Sequence, residues 1–243
     1  MKNIKTLSPY FDGTVKKIIS VQRDDGGIPW FKDGVLDPWN HLEAVMALNL
    51  CDQQENVKRG FDHLFNTQLD DGSWWGQLGS AVPLDDGQMK FSSEGMASGN
   101  RTKDTNFAAY IATAVWHDYL LNKNLDFVKT AWPHVKKAIG FSLSLQTKDG
   151  DIRWAAETET TREDDALVTG CCSIYKSLNS SLKLAELATF DCEASKLINE
   201  WTAARDRLRD ALVNKPHRFD RNWQPKDNLS MDWYYPVLTG VLE

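Results

Sequence analysis

The sequence predicts an all-α protein of alternating outer and inner helices, and three observations carry that prediction. A turn recurs three times, as QRDDGGIPW from Gln22, QLDDGSWW from Gln68 and QTKDGDIRW from Gln146, and each copy closes a helical run with one apolar face. A second repeat lies out of phase with the first: Asp37 opens DPWNHLEAVMAL, Asp104 opens DTNFAAYIATAVW, Asp165 opens DALVTGCCSIYKSL and Asp232 opens DWYYPVLTGVL. The runs after these aspartates are apolar or small on nearly every side, as expected of helices buried on both faces. Strand signals are weak throughout, with little period-two alternation and no Asn-Gly hairpin.

In chain order, outer helices are expected at 12–22, 54–68, 126–146 and 193–213, and inner ones at 38–50, 105–122, 165–188 and from 232 onward. The third outer helix is the clearest. Val128, Ala131, Trp132, Val135, Ala138, Ile139 and Ser142 recur at steps of three and four, with Lys129, Lys136 and Lys137 on the other face. The fourth shows the same stripe at Ala194, Leu197, Ile198, Trp201, Ala204, Leu208 and Ala211. An aspartate at the start of each inner run suits an N-cap, because its carboxylate accepts orphan backbone N–H bonds and complements the helix dipole. Successive caps lie 61 to 67 residues apart (37 to 104, 104 to 165, 165 to 232), a period that suits a helix pair with a long connection. Between the second outer and second inner helices, 76–103 shows no periodicity and leads into Asp104, so it is expected to be a long loop acting as a lid.

A net charge of −6 and the absence of a basic cluster argue against a nucleic-acid partner. The N-terminus lacks the apolar stretch of a signal peptide, and the longest apolar run, near 108–116, is far short of a membrane span. The chain therefore reads as cytoplasmic. Cys51, Cys171, Cys172 and Cys192 lack metal-type spacing and read as buried, reduced thiols. Neither a metal nor a cofactor is expected.

Alternating outer and inner helices with turns of the form Gln-x-x-Asp-Gly-x-Trp resemble the α/α-toroid proteins. Residues 59–74, with Arg59, Gly60, Leu64, Gln68, Gly72 and Trp74 in order, resemble the QW repeat of squalene and hopene cyclases. That resemblance implies a Gln that caps its helix, a Trp that stacks on it, and outer helices tied together. Residues 104–154 look more like the six-hairpin, glucoamylase-type glycosidases, and the whole chain also resembles bacterial prenyltransferase- or squalene-cyclase-repeat-like proteins. The resemblance implies one toroid domain over 1–243. A closed toroid of six hairpins at this period needs roughly 390 residues, so about four hairpins are present. The ending VLTGVLE lacks a helix stop signal. The chain is accordingly expected to be a fragment of the ring, with the remaining hairpins elsewhere or on a second chain.

In a toroid of this kind the loops ahead of the inner helices converge on a mouth. The candidates for substrate contact there are Asp37, Trp39, Asn40, His41 and Glu43; Asn106 and Tyr110; Trp154; and Asp232, Trp233, Tyr234 and Tyr235. Carboxylates, amides and aromatic faces in one concavity suit a sugar, whose hydroxyls want polar partners and whose C–H face stacks on Trp. Glycoside hydrolysis usually takes two carboxyl groups. Asp104, Asp165 and Glu157 are the catalytic candidates, Glu157 because it lies where the glucoamylase-type acid follows its Trp, here two alanines beyond Trp154. For each aspartate, capping is the competing role. Three readings stay open: a carbohydrate-active enzyme, a cyclase or prenyltransferase acting on an isoprenoid, and a non-catalytic scaffold. The second is weakened by its own motifs: residues 162–165 read Arg-Glu-Asp-Asp where class II cyclases have Asp-x-Asp-Asp, and no Asp-Asp pair carries the third acid of a diphosphate site.

Overall fold

A computed structural model describes residues 8–83, 89–92, 102–156, 164–222 and 230–242. All eight expected helices are there: α1 (Ser8–Val21), α2 (Pro38–Leu50), α3 (Gln54–Thr67), α4 (Thr105–Asn122), α5 (Leu125–Ser144), α6 (Val168–Leu187), α7 (Ala194–Asn214) and α8 (Ser230–Leu238). The helices α2, α4, α6 and α8 pack side by side as an inner layer, and α1, α3, α5 and α7 back it as an outer one. This is an α/α-toroid array of helical hairpins. The inner helices are small or apolar where they meet: Ala108, Ala109, Ile111, Ala112, Ala114 and Val115 of α4 are all buried. Among the described residues no helix is long and apolar enough to cross a membrane.

The outer layer is held by the repeated turn, in three near-identical copies. Gln22 Nε2 donates to Gly26 O and to Asn56 O on α3, each at 3.0 Å. Gln68 Nε2 donates to Gly72 O and to His134 O on α5, each at 3.0 Å. Gln146 Nε2 donates to Gly150 O at 3.0 Å and to Ala204 O on α7 at 2.9 Å. Each glutamine Oε1 in turn accepts from the same neighbouring helix, from Asn56 Nδ2, His134 Nδ1 and Arg207 Nη2 respectively. The glutamine thus bridges from its own outer helix to the next one. The glycines sit at φ of +91°, +90° and +102°, and a Cβ there would come within 2.0, 2.2 and 2.2 Å of the carbonyl oxygens of Arg59, Lys137 and Arg207. Both backbone conformation and close approach therefore require glycine.

The tryptophans of the three turns do not share a role. Counting from the glycine, the second residue is Ile28, Trp74 or Ile152, and all three are buried. The fourth residue is Trp30, Gly76 or Trp154. Only Trp74 packs back on its helix as the sequence suggested, its Nε1 donating to Leu64 O at 2.9 Å. Trp30 is 54% exposed, and Trp154 lines a cleft.

Asp37 and Asp104 cap α2 and α4 as expected, accepting from Asn40 N at 2.8 Å and Phe107 N at 3.0 Å. The other two aspartates do not. The helix α6 starts at Val168, after an N-cap at Leu167 that has no side-chain bond. Residues 165–166 are held extended instead: Trp154 N donates to Asp165 O, Asp220 N donates to Ala166 O, and Ala166 bridges to Phe219. Asp232 lies inside the first turn of α8, which begins two residues earlier. In the 76–103 segment, β1 (Ser80–Pro83) and β2 (Met89–Ser92) form an antiparallel hairpin where an aperiodic loop was expected. The rest of that segment, 84–88 and 93–101, lies outside the described residues. Its base is closed, because Gly76 N donates to Thr102 O at 2.7 Å. Two further short strands, β3 (Lys103–Asp104) and β4 (Ala155–Ala156), pair antiparallel with Asp104 opposite Ala155.

Replacing Gln146 with Ala removes the side-chain donor to Gly150 O and the second, inter-helix bond to Ala204 O. It should lower unfolding free energy by about 1–3 kcal/mol in urea, whereas Lys58→Ala on the exposed face of α3 should stay within about 0.5 kcal/mol. Gly150→Ala should cost more than Gln146→Ala, because positive φ and a backbone clash add.

Candidate functional site

The first turns of α2, α4 and α6, the start of α8 and the residues Ile152 and Trp154 ahead of β4 meet at one end of the inner layer. They enclose a cleft of about 160 Å³, below the ~300–1,000 Å³ that holds a drug-sized ligand and so sized for a small ring. Trp39, Asp104, Asn106 and Trp154 line it together with an apolar wall that includes Ile152, Leu167, Ile174 and Met231. Thr105 fixes the rim by donating its hydroxyl to Arg153 O at 2.7 Å and its backbone N–H to Trp154 O at 3.0 Å. Trp39 lies parallel to Phe107 at 6.4 Å and edge-on to Tyr110 at 5.9 Å, so its ring is set by packing.

Three buried polar atoms in this lining lack a protein partner: Asn106 Oδ1, an acceptor, and Trp39 Nε1 and Trp154 Nε1, both donors. Burying such groups unpaired costs about 1–3 kcal/mol each, a cost that a hydroxylated ligand would relieve. Asp104 stands beside them. Burial, and to a smaller degree the charge of Asp37, push its carboxyl up from 3.8 to about 7, against the lowering effect of the backbone N–H groups of Phe107 and Asn106. It therefore carries its proton near neutrality. Lys103 gives it no help, because its ammonium turns away to Asp71 at 2.5 Å and lies over Trp75. Cys171 also lines the cleft, but burial raises its thiol far above the ordinary range, which leaves it protonated and a poor nucleophile.

The remaining sequence candidates divide. Asp37 sits just behind the cleft with its oxygens engaged by Asn40 N, Asn40 Nδ2 and Trp30 Nε1. Farther along α2 and α4, the Tyr110 hydroxyl donates to Glu43, joining two mouth candidates into one pair. His41 is a correction: it is fully buried, accepting from Ile28 N on Nδ1 and facing Gly60 O through Nε2, both at 3.0 Å. Burial holds its pKa down to about 3, so it is a neutral tie between the first turn and α3. Asp165 is also fully buried, and it accepts from Ala166 N, Asn222 N and Arg221 Nε. It holds Arg221 and Asn222 in place and does not line the cleft. Trp233 and Tyr234 are 70% and 47% exposed and point away; Asp232 does not line the cleft either. From α8, Met231 and Tyr235 line it. Met231 was not among the sequence candidates, although its four-residue spacing from Tyr235 puts the two on one helical face. Glu157 lies outside the described residues. Cys192 is exposed and Cys51 partly so, contrary to the expectation of four buried thiols.

No family model matches this chain. The MMP endo-(1,4)-3-O-methyl-alpha-D-mannosidase of Mycolicibacterium hassiacum is 38% identical over 229 residues, which cover 94% of this chain and 56% of that protein. The chain thus spans little more than half the length of this relative. Among solved structures, the unsaturated glucuronyl hydrolase of Bacillus sp. GL1, described as responsible for glycosaminoglycan degradation, superposes with a TM-score of 0.54 at 15% identity, covering 81% of this chain and 53% of the hydrolase. A rhamnosidase from Klebsiella oxytoca, solved with rhamnose bound, gives 0.58 at 10% identity, covering 97% and 45%. These structures share the α/α-toroid fold. The relatives fall on the glycosidase side, and the expected resemblance to cyclases and prenyltransferases is not shown.

The unfolded chain releases the Asp104 proton near 3.8 and the fold keeps it to about 7, so Asp104 makes the folded state lose stability as pH rises from about 4 through 7. Asn keeps the cap but cannot ionise. Thermal midpoints measured from pH 4 to 8 should therefore show Asp104→Asn gaining on wild type as pH rises, the gap levelling above about 7.

Proposed function

We propose that the cleft is the sugar site of a glycosidase-like protein and that Asp104 is its general acid. The observation that carries this reading is a carboxyl held protonated near neutrality, beside one unpaired acceptor and two unpaired indole donors, in a cleft of one ring's size. A general acid must hold a proton at working pH and present it to the leaving oxygen. Hydrolysis also needs a second carboxyl; Glu157, two residues beyond Ala155, the strand partner of Asp104, is the candidate for that role. The segment 76–103, which ends at Asp104 and whose base is closed at Gly76 and Thr102, is proposed to cover the mouth.

The lining also supports a substrate class. Asp37 and Glu43, the carboxylates beside the protonated Asp104, make the mouth acidic, which disfavours a uronic acid. The apolar wall of Ile152, Leu167, Ile174 and Met231 accepts a methyl ether or a deoxy position. A neutral, O-methylated mannose, the sugar in the name of the Mycolicibacterium hassiacum relative, fits both features. An isoprenoid would leave Asn106 and Trp154 unpaired, which speaks against the cyclase reading.

Calorimetry with a 1,4-linked 3-O-methyl-α-mannose oligosaccharide should give binding, with none to a glucuronide. If the chain hydrolyses that oligosaccharide, Asp104→Asn should lower kcat by about 10²–10⁴-fold while leaving binding within a few-fold. Asn106→Ala and Trp154→Phe should weaken binding instead. Tight glucuronide binding with none of the neutral sugar would overturn the proposal.

A further inference from the structure

A second cavity, of about 500 Å³, opens on the other side of the first turn of α2, lined by Pro29, Trp30, Phe31 and Asn40 together with Ile18 and Ala44. Trp39 lines the cleft and its neighbour Asn40 lines this cavity, because successive residues of a helix point about 100° apart. Asp37 lies between the two spaces. It bonds the Trp30 indole on one side, and its charge reaches Asp104 on the other.

Trp30 is unusual for a large aromatic residue in being both fixed and open. Its Nε1 is held by Asp37 Oδ2 and its backbone N–H by Val35 O at 2.9 Å. The turn beneath it is closed by Gly34 N donating to Phe31 O, also at 2.9 Å. The buried residues Val35 and Leu36 anchor that turn to the core. The ring itself remains 54% exposed. Asn40 Nδ2 is taken by Asp37, so its amide orientation is set and its carbonyl oxygen is left to accept from outside. A rigid, solvent-facing indole beside an oriented amide is the chemistry that stacks the C–H face of a sugar ring and receives a hydroxyl.

We infer that Trp30 and Asn40 form a second sugar subsite, so that a neutral oligosaccharide crosses the first turn of α2 with one unit in the Asp104 cleft and the next on the Trp30 ring. The inference rests on the sugar reading of the cleft. It follows from size as well as chemistry, because the cleft has room for one ring and a longer chain must leave it along the mouth. Trp30 is then a stacking platform, and the third-turn tryptophan, Trp154, is a polar contact to the first unit. Equivalent positions in two copies of the turn thereby serve neighbouring units of one ligand.

The test compares affinity for methyl 3-O-methyl-α-mannoside and for the 1,4-linked tetrasaccharide of the same sugar, by calorimetry on the intact chain. Wild type should bind the tetrasaccharide about tenfold or more tightly. Trp30→Ala should abolish that advantage and leave monosaccharide affinity within a few-fold. Trp30→Phe keeps a ring but loses the bond to Asp37, and it should retain most of the advantage, which separates stacking from any effect on Asp37. An advantage that persists in Trp30→Ala overturns the subsite and leaves the cleft reading standing. Loss of the advantage in Trp30→Phe equal to that in Trp30→Ala also overturns it, in favour of a positioning role for the indole N–H. Failure of wild type to bind either sugar overturns the cleft reading and the subsite together.

Discussion

The side-chain amide of one glutamine per turn is the interaction on which the rest of this structure depends. Gln22, Gln68 and Gln146 each donate to the glycine carbonyl of their own turn and to a carbonyl of the next outer helix. A helix carbonyl already engaged within its helix can accept a second bond, so the bridge leaves the helix intact. The glycine completes the joint by letting the turn backbone lie against the same helix three residues further on, at Arg59, Lys137 and Arg207. Outer helix spacing is thus set by backbone contact and hydrogen bonds, which tolerate less drift than a purely apolar seam. That spacing in turn fixes where each inner helix starts.

The same joint decides what faces the ligand. Two residues past the glycine the chain is buried against its own hairpin, and four residues past it the chain emerges at the rim. Ile28, Trp74 and Ile152 are therefore buried, Ile152 within the cleft's apolar wall, whereas the polar contact of Trp154 and the open ring of Trp30 belong to the rim. A tryptophan's role here follows from its register to the glycine, since one side-chain type occupies both positions. The first turn of α2 is the hub of the rim: Asp37 caps it, holds Trp30 and raises the cost of ionising Asp104, while Trp39 and Asn40 face opposite spaces.

The eight helices were legible because two periodicities ran out of phase along the chain, one ending outer helices and one starting inner helices. Asp37 and Asp104 were legible as caps for the same reason. Asp165 was not, because its partners Arg221 and Asn222 lie 56 and 57 residues away, and such bonds leave no local mark. His41 shares the first turns of α2 with true mouth residues but lies on the face toward α3, where Gly60 makes room for it. Tyr235 was legible as a mouth aromatic, whereas Met231, on the same helical face, carries no polar or aromatic group that marks it in the sequence. The unpaired atoms of Asn106 and Trp154 had no sequence signal at all, since satisfaction is a property of the assembled site.

The account turns on whether a neutral sugar sits where Asp104, Asn106 and Trp154 converge. A crystal structure with a bound 1,4-linked 3-O-methyl-α-mannose oligosaccharide tests this most directly. The account predicts one ring in the cleft, with hydroxyls on Asn106 Oδ1 and Trp154 Nε1 and a glycosidic oxygen within hydrogen-bond reach of the Asp104 carboxyl. A sugar bound away from the first turns of α2 and α4, with those three groups left as they are in the free protein, would contradict it.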